Sequence, residues 1–212
     1  MMTDNLIKAL AEDRSSRPRS PGARILIALV IGLAIAAPML MLTLGMRPDI
    51  GSALQTWRFT AKLTIAAVCL GFAAWASARL ARPEIGLNEV LVGLSVAPLL
   101  LAAAVGTEMM MISPDDWMAR AIGSNSRVCI LAIPALAIAP LGVVLAALRG
   151  GAPSSPALAG AVGGLLAGAI GATLYATHCL DDSPLFVALW YTPAVLFITV
   201  LGAFAGQRLL RW

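Results

Sequence analysis

The sequence predicts an all-α fold: a polytopic membrane protein built as a six-transmembrane-helix bundle with both termini cytoplasmic. Three observations lead there. Of the 212 residues, 59% are hydrophobic and only 12% charged, with a mean hydropathy of +0.87. About a quarter of a soluble domain is charged. Six nearly uncharged stretches approach the ~20 residues that a helix needs to cross a bilayer core. Lys and Arg fall unevenly between alternate connections. This composition excludes a soluble enzyme, a disordered chain and a nucleic-acid-binding module, so no direct contact with nucleic acid is expected.

Three units follow. Residues 1–24 form a cytoplasmic tail and linker, 25–207 the six-helix membrane domain, and 208–212 a short cytoplasmic C-terminus. Within the tail, Met1–Asp13 reads as a short amphipathic helix, capped by Thr3 or Asp4, with Leu6, Ile7 and Leu10 on one apolar strip. Ser15–Pro21 is a basic, proline-punctuated linker. A helix this short is marginal in water. It either frays at the headgroups or orders when its apolar strip docks into a groove on a soluble partner. No cleavable signal is evident, since the first apolar run is too long for a signal h-region.

The spans are read as Ile25–Leu44, Phe59–Ala78, Val90–Thr107, Val128–Leu148, Pro156 to about His178, and a sixth within Ser183–Gln207. None shows the period-2 alternation of a barrel strand. Lys8, Arg14, Arg17, Arg19, Arg24, Arg79, Arg82, Arg149, Arg208 and Arg211 share one side; Arg47, Arg58, Lys62, Arg120 and Arg127 share the other. The richer side is read as cytoplasmic. Trp57 and Trp212 suit the two interfaces.

Inside lipid, small residues that allow close backbone approach drive helix packing. Gly160, Gly164 and Gly168 recur every four residues on span five. They mark either packing within this bundle, the favoured reading, or the seam of a homo-oligomer. Pro38, Pro98, Pro134, Pro140 and Pro193 fall inside spans, where kinks are tolerated. No ionisable group is expected deep in a span: Lys62, Glu89 and Glu108 are read as lying at span ends and reaching the headgroups. That weighs against an ion-coupled carrier.

Glu108–Arg127 is the longest outer connection. Ser113-Pro114-Asp115-Asp116 predicts a helix start with Ser113 as its cap, and Gly123 predicts its stop. Met109, Met110 and Met111 are read as interfacial hydrophobes before soft-metal ligands. Cys69 reads as a small buried hydrophobe. Cys129 opens span four and Cys179 closes span five at the same outer level, where a disulfide is chemically permitted. His178, the only histidine, adjoins Cys179 and precedes Asp181 and Asp182. A set of His178, Cys179 and Asp182, or transient capture by Cys129, His178 and Cys179, suits a soft metal ion. A structural pair of cysteines is weighed equally with a sensor. No resident cofactor is expected.

Several pieces of the chain, in order, resemble the NrsF-type membrane anti-sigma factors. They are the acidic-apolar tail Thr3-Asp4-Asn5-Leu6-Ile7 with Leu10-Ala11-Glu12-Asp13, and Trp57-Arg58-Phe59 with Lys62. Arg79-Leu80-Ala81-Arg82-Pro83, Cys129 and Leu148-Arg149 through Pro153 follow. The most specific is Tyr175-Ala176-Thr177-His178-Cys179 with Asp182-Ser183-Pro184, Phe186-Val187 and Trp190-Tyr191. The resemblance implies a six-span, non-enzymatic protein of the bacterial inner membrane that holds an extracytoplasmic-function sigma factor away from RNA polymerase. It implies that Asp4, Leu6, Ile7 and Leu10 bind sigma, and that Cys129 and Cys179 sense envelope redox or heavy-metal stress. Two other readings compete: a small multi-span transporter, and a quinone-linked membrane thiol oxidoreductase. The absence of a C-x-x-C weighs against the second.

Overall fold

In a computed structural model the described residues are Thr3, 20–82 and 87–210. The tail residues Asp4, Leu6, Ile7 and Leu10, and Trp212, lie outside them. The described chain is all-helical, with six helices long and apolar enough to cross a membrane. These are α1 (Pro21–Thr43), α2 (Trp57–Leu80), α3 (Leu87–Met111), α4 (Ser126–Leu148), α5 (Pro156–Ala176) and α6 (Pro184–Leu209).

Ser or Thr followed closely by Pro or Trp sets the helix starts. Ser20 accepts from the Ala23 amide, Thr56 from Phe59, Ser155 from Leu158 and Ser183 from Leu185. Each satisfies an amide that the first turn leaves unpaired. Pro21, Pro156 and Pro184 take first-turn positions, where a missing N–H costs nothing. Pro38, Pro98, Pro134 and Pro140 are accommodated within continuous helices. Near its start α6 contains a π turn, Val187–Tyr191.

Successive helices alternate in direction. One end gathers the connection after α1, the end of α3, the start of α4 and the segment after α5, as contacts from Arg47 to Thr177, Arg58 to Glu108 and Ser124 to Asp181 show. We call it the cysteine end. At the opposite end Arg24 donates to the Gly150 carbonyl, Ala152 donates to the Ala81 carbonyl, and Ile25, Leu148 and Leu210 share one core. The described ends of α1 and α6 therefore lie together.

Helix α5 is the centre. It is buried nearly all round and packs on α2, α4 and α6. A methyl group added at Gly160 would overlap the Gly202 carbonyl oxygen, and one at Gly164 the Ile198 carbonyl oxygen; Gly168 faces Val195. On α6, Gly202 and Gly206 return the fit against Gly160 and Gly164. Another face sets Gly171 against the Ile133 carbonyl of α4. The glycine face of α5 is thus occupied within one chain. Helix α3, by contrast, leans chiefly on α2 and exposes much of its surface.

Between α3 and α4, Pro114–Asp116 forms a 3₁₀ turn and Trp117–Ile122 a short helix. Gly123 ends it at φ +58°, a left-handed conformation that glycine adopts without strain. Ser113 makes no side-chain capping bond, unlike the sequence expectation. The short helix is anchored instead by the Trp190 indole, which donates to the Ala121 carbonyl at 2.9 Å.

The glycine seam yields a prediction. Gly160→Ala or Gly164→Ala forces a methyl group onto backbone that cannot swing aside, costing about 1–3 kcal/mol each. Gly142→Ala, where nothing lies within 4 Å, serves as a control. Thermal unfolding of the detergent-purified protein is expected to show lower midpoints for the first two and none for the control.

Candidate functional site

At the cysteine end the segment 177–183 crosses between α5 and α6, and polar groups from four other parts of the chain converge on it. Lys62, on the second turn of α2, is 2% exposed. Its ammonium donates to the Cys179 carbonyl at 2.9 Å, to the Asp181 carbonyl at 3.3 Å and to the Asp182 carboxylate. Arg47, 7% exposed, donates to the same Cys179 carbonyl at 3.2 Å and to both Asp182 oxygens at 2.9 Å, while its other edge holds Asp49. The Phe59 ring faces both cations, 5.0 Å from Arg47 and 5.2 Å from Lys62. The Asp49 hydrogen bond is the main force holding the Arg47 guanidinium above its ordinary pKa range, and the same bond holds Asp49 below the usual carboxylate range.

A second buried ion pair adjoins the first. Glu108 is fully buried, accepts from Arg58 at 2.9 Å and from the Ser183 hydroxyl at 2.7 Å. Here the structure corrects the sequence reading. Helix α3 runs to Met111 and carries Glu108 inward, while Lys62 stays inside the bundle. Neither reaches for headgroups, because each has partners inside that replace its hydration. Glu89, by contrast, is exposed and pairs with Arg79 at 3.2 Å.

Asp181 closes the arrangement on the other flank. Its carboxylate accepts from the Ser124 amide at 3.0 Å and from the Asn125 amide at 2.7 Å, just ahead of α4. The start of α4, which carries Cys129, is thereby tied to the segment that carries Cys179.

The two thiols are free, 0% and 1% exposed, and belong to one core with Tyr175, Phe186 and Tyr191. Their level along the bundle is the one expected from sequence. Burial pushes the Cys179 thiol up, partly offset by the Lys62 charge. The Tyr175 and Tyr191 rings are 5.7 Å apart; both hydroxyls are buried beside Cys179 without a hydrogen-bond partner of good geometry. Cys69 lies apart on α2, half-buried rather than fully so.

The suggested metal ligands are not brought together. His178 Nδ1 is engaged at 3.0 Å by the Gly45 carbonyl, and both Asp182 oxygens are committed to cations. Among the described residues no group of three or more His, Cys, Asp or Glu side chains could hold a metal ion. What the arrangement offers is a protected dithiol under an ionic clasp. Sequence reasoning missed Arg47, Lys62, Arg58 and Glu108 as its parts. The available signal was a lysine and a glutamate inside otherwise apolar helices.

Comparison with known proteins adds a family. The model described as NrsF, negative regulator of sigma F, matches residues 10–212. A Caulobacter vibrioides (strain NA1000 / CB15N) protein called anti-sigma-F factor NrsF is 38% identical over 218 residues, covering 100% of each chain. An Azospira oryzae (strain ATCC BAA-33 / DSM 13638 / PS) protein called probable anti-sigma-F factor NrsF is 32% identical over 214 residues, again covering 100% of each. No solved structure matches the chain.

The clasp makes an ordered prediction. Asp182→Asn removes the charge that both cations share, leaving Lys62 with carbonyl oxygens alone while Arg47 keeps Asp49, and is expected to cost about 3–5 kcal/mol, as for other broken buried pairs. Lys62→Met leaves Arg47 still holding Asp182 and is expected to cost less. Thermal unfolding in detergent checks the ranking; equal midpoints for both variants and the parent would show that the clasp does not stabilise the fold.

Proposed function

We propose, since the chain belongs to the NrsF family of negative regulators of sigma F, that it is an inner-membrane anti-sigma factor whose tail holds an extracytoplasmic-function sigma factor. The match over residues 10–212 carries this reading. Six helices long and apolar enough to cross a bilayer support the location. The charge asymmetry of the connections supports a cytoplasmic placement of both termini, and the described ends of α1 and α6 lie at one end of the bundle, as that placement requires. The role is regulatory, not enzymatic. Asp4, Leu6, Ile7 and Leu10 are the proposed contacts with sigma.

Cys129 and Cys179 are the proposed sensing pair, facing the envelope side. Both sit in one core, and Asp181 already links the backbones that carry them. Thiol oxidation suits this arrangement better than metal capture, which would first have to free Asp182 and His178 from their partners. A change at the pair bears directly on α4 and on the segment after α5. Helix α5 is locked to α4 and α6 through glycine-to-backbone contacts, so it moves with them as a unit. Its far end lies beside the start of α1, from which the tail hangs.

Two outcomes are expected. Sigma F co-purifies with the full chain, and its recovery falls at least about tenfold, the equivalent of 1.4 kcal/mol or more, when residues 1–13 are removed; equal recovery would sink the tail's role. Replacing Cys129 and Cys179 with Ser is expected to abolish the transcriptional response of sigma-F-dependent promoters to oxidant; an unchanged response would leave the two as structural residues.

A further inference from the structure

A cleft of about 280 Å³ opens on the side of the bundle, walled by α2, α3, α5 and α6. It exists because α3 leans on α2 and leaves a gap towards α6. Its lining is almost wholly apolar and includes Ile65, Cys69, Leu94, Ala97, Leu101 and Leu165. It runs from the level of Lys62 to that of Cys69, about 10 Å at 1.5 Å per residue. At its rim the apolar side chain of Leu196 is 53% exposed, so in a bilayer the cleft faces hydrocarbon.

Three features connect this cleft to the dithiol. Ala172, Val187 and Tyr191 belong both to the cleft lining and to the core around Cys129 and Cys179. These three side chains form the partition between them. That partition includes the π turn Val187–Tyr191, a form of helix concentrated at functional sites. And Tyr191, 4% exposed, lines the cleft while its hydroxyl lies beside Cys179 without a hydrogen-bond partner of good geometry. The thiols themselves are sealed from water.

We propose that the cleft is a quinone site, through which the quinone dissolved in the bilayer oxidises Cys129 and Cys179. The inference rests on the reading of these cysteines as the sensing pair and names their oxidant. An apolar cavity of about 150 Å³ takes a benzene ring, so this one holds a substituted ring, with the isoprenoid tail leaving between α3 and α6. Turned towards the cleft, the Tyr191 hydroxyl donates to a ring carbonyl. In the reaction the two thiols give up two electrons and two protons and a Cys129–Cys179 S–S bond forms. The two quinone carbonyls become the hydroxyls of the hydroquinone, which returns to the bilayer. The thiols reach the ring when the Tyr191 side chain turns out of the partition.

The full-length protein, reduced and placed in quinone-free phospholipid vesicles, is treated with decylubiquinone. Free thiols are counted by maleimide mass shift after unfolding, with the modified peptides mapped. Loss of the thiols of Cys129 and Cys179, with one hydroquinone formed per protein, is the expected result. Ala97→Phe and Leu196→Trp, which fill the cleft from its wall and its rim, are expected to slow this at least about tenfold, a barrier change of 1.4 kcal/mol, while oxidation by the small soluble oxidant diamide stays unchanged. All three thiols remaining reduced with quinone overturns the proposal. So does reaction at Cys69 alone, or equal rates in both filled variants, or a cleft that retains only phospholipid. Sigma binding is not a readout, so the two readings fail separately. If quinone forms the disulfide and sigma stays bound, the sensor reading falls and the cleft assignment stands. If the Ser variants lose their response while quinone leaves the thiols reduced, the reverse holds.

Discussion

Helix α5 meets its neighbours with backbone. Gly160, Gly164 and Gly168 towards α6, and Gly171 towards α4, bring main chain against main chain where any side chain would intrude. Close contact of this kind is what associates helices wherever apolar burial gives no reward, as in lipid. Everything else is arranged around that axis. The segment after α5 is placed by it, and so are Cys179, the Asp181 link to α4 and the Asp182 clasp. The peripheral position of α3, and with it the lateral cleft, is the complement: α4 and α6 take the glycine faces of α5, and the face that carries Leu165, Ala169 and Ala172 is left to the cleft.

The clasp is an unusual use of charge for so apolar a chain. A buried ion pair is weak evidence of stability, because desolvation offsets attraction. Here the cations do something more local. Lys62 and Arg47 both bond the Cys179 carbonyl and both bond Asp182, fixing a short non-helical segment whose backbone groups would otherwise go unsatisfied among helices. The thiol of Cys179 is therefore set in place by charges that never touch its sulfur.

The bounds of the six long helices were legible in the sequence to within a few residues, because each long apolar run free of charge continues as one helix. Span three was the exception. Reading it as ending at Thr107 treated Glu108 as a surface charge, whereas the helix continues to Met111 and Glu108 turns inward to Arg58 and Ser183. Hydropathy measures the cost of burying a charge and contains no information on a partner 50 or 75 residues away. The same blindness hid Lys62. The cysteine level was legible from span order, since both residues lie at span ends. The glycine face was legible as a contact, but which helix would meet it was not, because Gly202 and Gly206 on α6 are meaningful only once α5 is beside them.

The separation along the chain of the clasp's partners bears on how the protein is made. Lys62 lies on the second helix, and the groups that take its charge come 117 to 120 residues later. Until the segment after α5 exists, none of the carbonyl and carboxylate oxygens that hold the Lys62 ammonium in the finished fold is present. The buried place of Lys62 on α2 is therefore a property that only the last third of the chain completes.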